Sequence, residues 1–297
     1  MSEAPVASLP IAQFRPYQNY PGSEYILPTD EVEKLRLRTQ HDYLKRLFDN
    51  KVLFAPVALG PDDKVLESGT GPGLWILELA GTTNPATHMI GLDIESRLWP
   101  ASHPENVKFQ LGSVTKLPEE WSNTFSLVHQ RLLILGLQIP EWPTALAEMH
   151  RVLRPGGWVQ IAEATLWAEG SYPGRPCMEK VVTLYRRICE LRSLYVDCAY
   201  DMPKLLHEAG FVDIQKETRD QCMGSWGGPD GEVMRLNHVG VLRGIKTPVL
   251  QAGGFGIVSS EAEFDELLDG LDKEWEENPG MTKEFMIFWA RKSSASS

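Results

Sequence analysis

Val65-Leu66-Glu67-Ser68-Gly69-Thr70-Gly71-Pro72-Gly73 runs straight into Leu74-Trp75-Ile76-Leu77-Glu78-Leu79-Ala80. Asp63-Lys64-Val65-Leu66 reads as a short buried strand. Gly69, Gly71 and Gly73 form a loop without Cβ atoms, and Leu74 to Ala80 reads as a helix stopped by Gly81 as its C′ residue. A strand, a glycine-rich turn and a helix N-terminus let the main chain approach a nucleotide-like ligand closely. The spacing limits which ligand that is. A dinucleotide fingerprint wants G-x-G-x-x-G, but Leu74 stands where its third glycine belongs. The pattern is instead acid-x-G-x-G-x-G, with Glu67 two residues ahead of Gly69.

Downstream, strands alternate with helices. His88 to Asp93 is a strand with Asp93 at its C-terminal end, Val107 to Leu111 is a third leading to Gly112-Ser113-Val114, and Phe125 to His129 is a fourth. Ile139 to Leu153 reads as a helix with Trp142, Leu146, Met149 and Leu153 on one face. Pro155-Gly156-Gly157 ends it and turns into the strand Trp158 to Glu163. Such alternation indicates a parallel sheet covered on both faces. A helical insertion is expected near 167–201, with a helix from Met178 to Tyr195. A short helix from Met202 to Ala209 and a strand from Phe211 to Ile214 follow it. A second insertion is expected near 221–278, with a helix around Val233 to Ile245 and another begun by Ser260-x-x-Glu263. Glu284 to Ala290 is the last strand.

Upstream, residues 1–28 hold five prolines and four aromatics and read as an extended arm. Asp30-x-x-Glu33 then opens a helix reaching about Asp49. The whole is expected to be one domain: arm and helix over 1–59, core over 60–291, and a disordered tail over 292–297.

Composition narrows the function classes. The 297 residues are 42% hydrophobic and 23% charged, as in ordinary globular proteins. The net charge of −11 offers no basic face for phosphates, so nucleic acid is not an expected partner. Arg186, Arg187 and Arg192 fall on an amphipathic helical pattern and read as its solvated face. No apolar run approaches the roughly 18 residues of a membrane span, and no secretory signal is visible at the N-terminus. The cysteines (177, 189, 198 and 222) are scattered without a C-x-x-C pair, which suits reduced thiols and no metal site. A cytoplasmic protein is expected.

In order, Glu67-x-Gly69-x-Gly71-x-Gly73, Asp93, Gly112-Ser113-Val114, Leu153-Arg154-Pro155-Gly156-Gly157 and Ala209-Gly210-Phe211 resemble the class I S-adenosylmethionine (SAM)-dependent methyltransferases. The likeness covers about residues 60–291. It implies a Rossmann-like α/β fold, a mostly parallel seven-stranded sheet with helices on both faces. Tyr25-Ile26-Leu27-Pro28-Thr29-Asp30 with Glu33, Arg36 and Gln40-His41 is similar to the N-terminal signature of the fungal LaeA-like family, which contains methyltransferases and regulators of secondary metabolism. The resemblance implies that SAM is the cofactor. It would be held by Glu67, Gly69, Thr70, Gly71, Gly73, Asp93, Ile94, Ser113, Val114, His129 and Tyr25. Asp93 would accept both ribose hydroxyls, Glu67 would hold the ammonium, and Gly112-Ser113-Val114 would face the adenine. Three residues depart from the pattern. Glu67 replaces the more frequent Asp, Pro72 removes a loop N–H, and Ser113 stands where many relatives place an Asp.

Methyl transfer from a sulfonium depends on alignment in a dry pocket, and a general base matters only where the nucleophile arrives protonated. His129, at the end of the fourth strand, is the candidate base, with Glu163 a weaker one. His238 reads as a packed helix residue. The N/D-P-P-Y/F/W tetrad used on nucleobase or amide nitrogens is absent after the fourth strand, where His129-Gln130-Arg131-Leu132 stands. Tyr20, Tyr25, Trp167, Tyr172 and Trp226 suggest an aromatic-lined pocket for a small-molecule acceptor, a secondary metabolite methylated at O, N or S. A LaeA-like regulator, a SAM-assisted cyclase or isomerase, and an NAD-dependent oxidoreductase (disfavoured by Leu74) are the alternatives; a regulator could also be nuclear.

Overall fold

The structure is a computed structural model that describes residues 15–294. The first half of the expected arm and the last residues of the expected tail lie outside it. Seven strands form one sheet. β1 (Lys64–Ser68), β2 (His88–Asp93), β3 (Val107–Leu111) and β4 (Phe125–Arg131) lie in the order β3-β2-β1-β4, all parallel to their neighbours, with β3 at the edge. β5 (Leu153–Ala164) runs parallel to β4, and β7 (Thr282–Lys292) inserts antiparallel between β5 and β6 (Phe211–Cys222).

Periodicity explains the sheet. Val65, Leu66, Leu127, Val128, Val159 and Ile161 are fully buried, as strands covered on both faces require. On one face α2 (Leu74–Thr82) seats Trp75, Ile76 and Leu79 over Val65, Met89 and Leu127. On the other, α3 (Glu141–Val152) contributes Trp142, Leu146 and Met149 to the larger core. The helices α1 (Glu31–Leu47), α4 (Pro176–Leu191), α6 (Gly228–Gly244), α7 (Lys246–Gln251) and α8 (Glu261–Glu277) pack on one another, while α5 (Cys198–Glu208) covers β6. Asp30 caps α1 by accepting from Glu33 N at 2.8 Å, and Ser260 caps α8 by accepting from Glu263 N at 3.2 Å.

Several expected boundaries move. α2 runs through Gly81 to Thr82, and Thr83 Oγ1 donates to Leu79 O at 2.9 Å, so Gly81 is an interior helix residue and not the stop. Pro155-Gly156-Gly157 lies within β5, where the β4 pairing shifts register between Phe125 and Leu127. β6 continues to Cys222, well past Ile214, so the second insertion starts after the strand. Its middle is polar on both faces, which hides a strand from hydrophobic periodicity.

Candidate functional site

The C-terminal ends of β1, β2 and β4 open onto a cavity of about 220 Å³. The glycine loop forms its floor. Gly69 has φ of 63°, and a Cβ there would stand 2.7 Å from Leu133 Cδ2, so only glycine lets the loop pass beneath the β4 turn. Asp93 closes the β2 end. Its Oδ2 accepts from Gly71 N at 2.7 Å and its Oδ1 from Glu95 N at 3.0 Å, which ties the loop to the acid. Burial pushes the Asp93 carboxyl up to about 6, against the amides that favour its charged form.

Glu67 is 3% exposed and reaches the cavity from β1, with Thr70 Oγ1 donating to its Oε2 at 2.5 Å. Burial raises its carboxyl to about 7, while Thr70, Arg131 and His41 act to lower it. Gly112, Ser113 and Val114 line the side beyond Asp93, together with Ile94 and Leu98. Ser113 Oγ sits 2.8 Å from Thr115 Oγ1 and accepts from Thr115 N at 3.2 Å, so part of its capacity is used within its own turn.

The roof is the arm. Gln18, Tyr20, Pro21, Gly22, Ser23 and Tyr25 line the cavity. Tyr17 bridges Pro28 in antiparallel fashion and its hydroxyl donates to Gly244 O at 2.9 Å; Arg15 forks onto Asp30 at 2.7 and 2.8 Å. Leu37 and Gln40 enter from α1. Glu163, at the end of β5, does not reach the cavity. It accepts from Leu133 N at 2.7 Å and Ile134 N at 3.3 Å and so fixes the turn after β4, where Leu132 takes a φ of 58°. Burial raises Glu163 to about 8.

Of the expected cofactor residues, Glu67, Gly69, Thr70, Gly71, Asp93, Ile94, Ser113, Val114 and Tyr25 line this cavity. Two do not. Gly73 is the left-handed N-cap of α2 (φ 73°), where a Cβ would come within 2.5 Å of Phe109 Cζ; it is a packing glycine. His129, expected as base and cofactor contact, is 1% exposed and stacks on Trp75 at 3.6 Å between ring centroids. Register sets it beside Glu67, with its Nδ1 3.5 Å from Glu67 Oε1, and under α2 rather than in the opening. Burial, and then Arg131, hold its imidazole well below the ordinary range, so it is a neutral ring packed outside the cavity lining. His238 is likewise buried, with its Nδ1 3.1 Å from Met234 O. Sequence reading gave no cavity role to Gln40, which it placed only in the N-terminal signature, or to Leu98, Arg131 and Leu133. Arg131 carried a signal, since it stands two residues past His129 at the strand end.

The acceptor and donor set suits a nucleoside joined to an amino acid. Asp93 matches a vicinal diol, Ile94, Leu98 and Val114 offer an apolar slot for a base, and Glu67 offers an acid for an ammonium. Residues 65–157 match the family described as Methyltransferase domain. The chain is 30% identical over 284 residues to the N-methyltransferase sirN of Leptosphaeria maculans, covering 93% of this chain and 97% of that protein. It is also 30% identical over 285 residues to the N-methyltransferase gliN of Aspergillus fumigatus, covering 92% and 98%. A third relative, the methyltransferase pytC of Aspergillus terreus, is 30% identical over 236 residues, covering 76% and 70%. Among solved structures, a complex of a methyltransferase with the Haloferax volcanii Trm112 methyltransferase activator aligns with TM-score 0.50 and 14% identity, over 91% of this chain and 99% of that one. At that identity the likeness is one of fold.

Proposed function

We propose, from the premise that this chain belongs to the SAM-dependent methyltransferases, that it methylates a nitrogen atom of a small-molecule acceptor. The observation that carries the nitrogen is the near full-length similarity to two N-methyltransferases. The cavity beneath the arm supports a small acceptor. Apart from Arg131 it is lined by uncharged and acidic side chains, which suits an acceptor without phosphate groups. Incubation with SAM and a panel of metabolites bearing amine nitrogens, with hydroxyl- and thiol-bearing ones alongside, read by mass, tests this. Transfer only to oxygen or sulfur acceptors would overturn the nitrogen assignment.

When bound, SAM supplies an electrophilic methyl group on a sulfonium. The chain's residues bind, align and exclude water. Asp93 accepts the ribose hydroxyls, Glu67 takes the ammonium, and the glycine loop lets both approach. Tyr20 and Tyr25 on the arm, with Leu37 and Leu133, wall off solvent so that nucleophile and methyl carbon are held in line. Among the described residues no histidine lines the cavity, so a neutral nitrogen with a free lone pair fits best; its proton leaves after transfer.

Two expected results follow from this arrangement. Affinity for S-adenosylhomocysteine should fall as pH drops from 8 to 5.5. The ligand favours ionised Glu67 and Asp93, whose free-protein values are about 7 and about 6, so binding releases protons and weakens below those values. Titration calorimetry in two buffers would show it, and Glu67→Gln with Asp93→Asn should flatten the profile. A flat wild-type profile would mean that neither carboxylate meets the ligand. The arm gives the second result. Deleting residues 1–24, which leaves the core residues Ile26 and Leu27 in place, should cut turnover several-fold while lowering the melting temperature less, because a roof closes a pocket without building its core. Tyr20→Ala should reproduce part of the loss. Full activity in the truncated protein would leave closure to α1 and the β4 turn alone.

A further inference from the structure

Arg131 is a half-buried cation without an acid in ion-pair range. It ends β4 one residue past the Ser68–Gln130 pair and lines the cavity together with Glu67, close enough that each acts on the other's charge. Its Nη2 donates to His41 Nδ1 at 3.1 Å, and among the described residues no carboxylate lies within ion-pair distance of it. A guanidinium carries five N–H donors in a fork shaped for a carboxylate, and here one hydrogen bond to a protein group is made. Burial lowers its proton affinity, and only the more distant Glu67 and Glu78 offset this.

The element behind it holds it in place. His41 Nε2 lies 2.7 Å from Glu78 Oε2, and Lys45 Nζ donates to Glu78 Oε1 at 2.8 Å. Because Arg131 can only donate, His41 must accept at Nδ1 and give its Nε2–H to Glu78. Burial and the neighbouring Arg131 both lower the His41 value, which suits that neutral tautomer. The groups His41, Glu78 and Lys45 on α1 and α2 thus fix the guanidinium of a residue that lines the cavity.

The cavity therefore presents an acid and a base side by side at one end, the complement of a zwitterionic amino acid. We propose that Arg131 binds the α-carboxylate of the cofactor's amino-acid portion while Glu67 binds its ammonium, and that His41 is the positioning residue for Arg131. The proposal rests on the SAM reading above and assigns a residue to a part of the ligand that reading left unplaced.

Calorimetry on the full chain with S-adenosylhomocysteine and with its decarboxylated analogue, S-adenosyl-3-thiopropylamine, tests it. The wild type should bind the carboxylate-bearing ligand on the order of tenfold to a hundredfold more tightly, as a charge-assisted fork implies. Arg131→Met should lose that margin, leaving the two ligands within about threefold, with affinity for the analogue little changed. Arg131→Lys, which keeps charge and bulk, should fall between. His41→Gln should narrow the margin without abolishing it. Equal wild-type affinity for both ligands would overturn the proposal, as would an Arg131→Met variant weakened equally for both. Failure of the wild type to bind S-adenosylhomocysteine at all would instead overturn the cofactor reading.

Discussion

Asp93→Ala should weaken binding of S-adenosylhomocysteine by tenfold to a few hundredfold. Each hydrogen bond to a charged partner contributes about 1.5–3 kcal/mol, and the carboxylate has two ribose hydroxyls to meet. It also holds the glycine loop through Gly71 N at 2.7 Å, so the alanine variant loses an internal tether with the ligand contact. Asp93→Asn separates the two effects. An amide oxygen can still accept from Gly71, so most of the loop geometry should persist while the charge is lost. Calorimetry should rank wild type, Asn and Ala in that order. Unchanged affinity in a folded Asp93→Ala protein would place the ribose elsewhere.

The largest stability effect should come from α1. Arg36 donates to Glu33 from Nη2 at 2.6 Å and Nε at 2.9 Å, and Nη1 reaches Asn237 Oδ1 on α6 at 3.1 Å. The two side chains are 9% and 1% exposed. Arg36→Ala would leave a buried carboxylate without its partner, a loss of about 3–5 kcal/mol. Melting temperature should fall by on the order of 10 °C. Replacing both partners together, Glu33→Leu with Arg36→Met, should recover much of that, since no uncompensated charge remains. If the single variant melts with the wild type, water must reach the Glu33 carboxylate and the pair is not what joins α1 to α6.

The N-terminal signature is where the sequence was most informative. Asp30, Glu33, Arg36, Gln40 and His41 are cap, ion pair, cavity wall and support for Arg131 in turn. The order of strands and the acid-glycine loop were equally legible, because burial on both faces and the need for positive φ leave direct marks on residue choice. The role of His129 was not. Its position at a strand end suggested the opening, but strand alternation sends its ring under Trp75, a contact set by tertiary packing. Glu163 was read as a possible base because a strand-end acid looks reactive, whereas two backbone amides occupy it. The continuation of β6 past Ile214 escaped for a related reason. An edge strand of Gln, Lys, Glu, Thr and Arg carries no apolar stripe, and its pairing with β7 alone defines it.

The position of β7 bears on how the chain matures. This strand comes from residues 282–292 yet lies between β5 and β6, with hydrogen-bonded neighbours on both edges. During synthesis, β1 to β4 and the glycine loop emerge from the ribosome first and can pair with one another as they appear. β6 has nothing to pair with until the final strand is released, and the open edge of β5 stays exposed for as long. β7 is therefore the closing step of the sheet, and a nascent chain cut short before residue 282 would keep its ligand loop but present two unsatisfied edges to other chains.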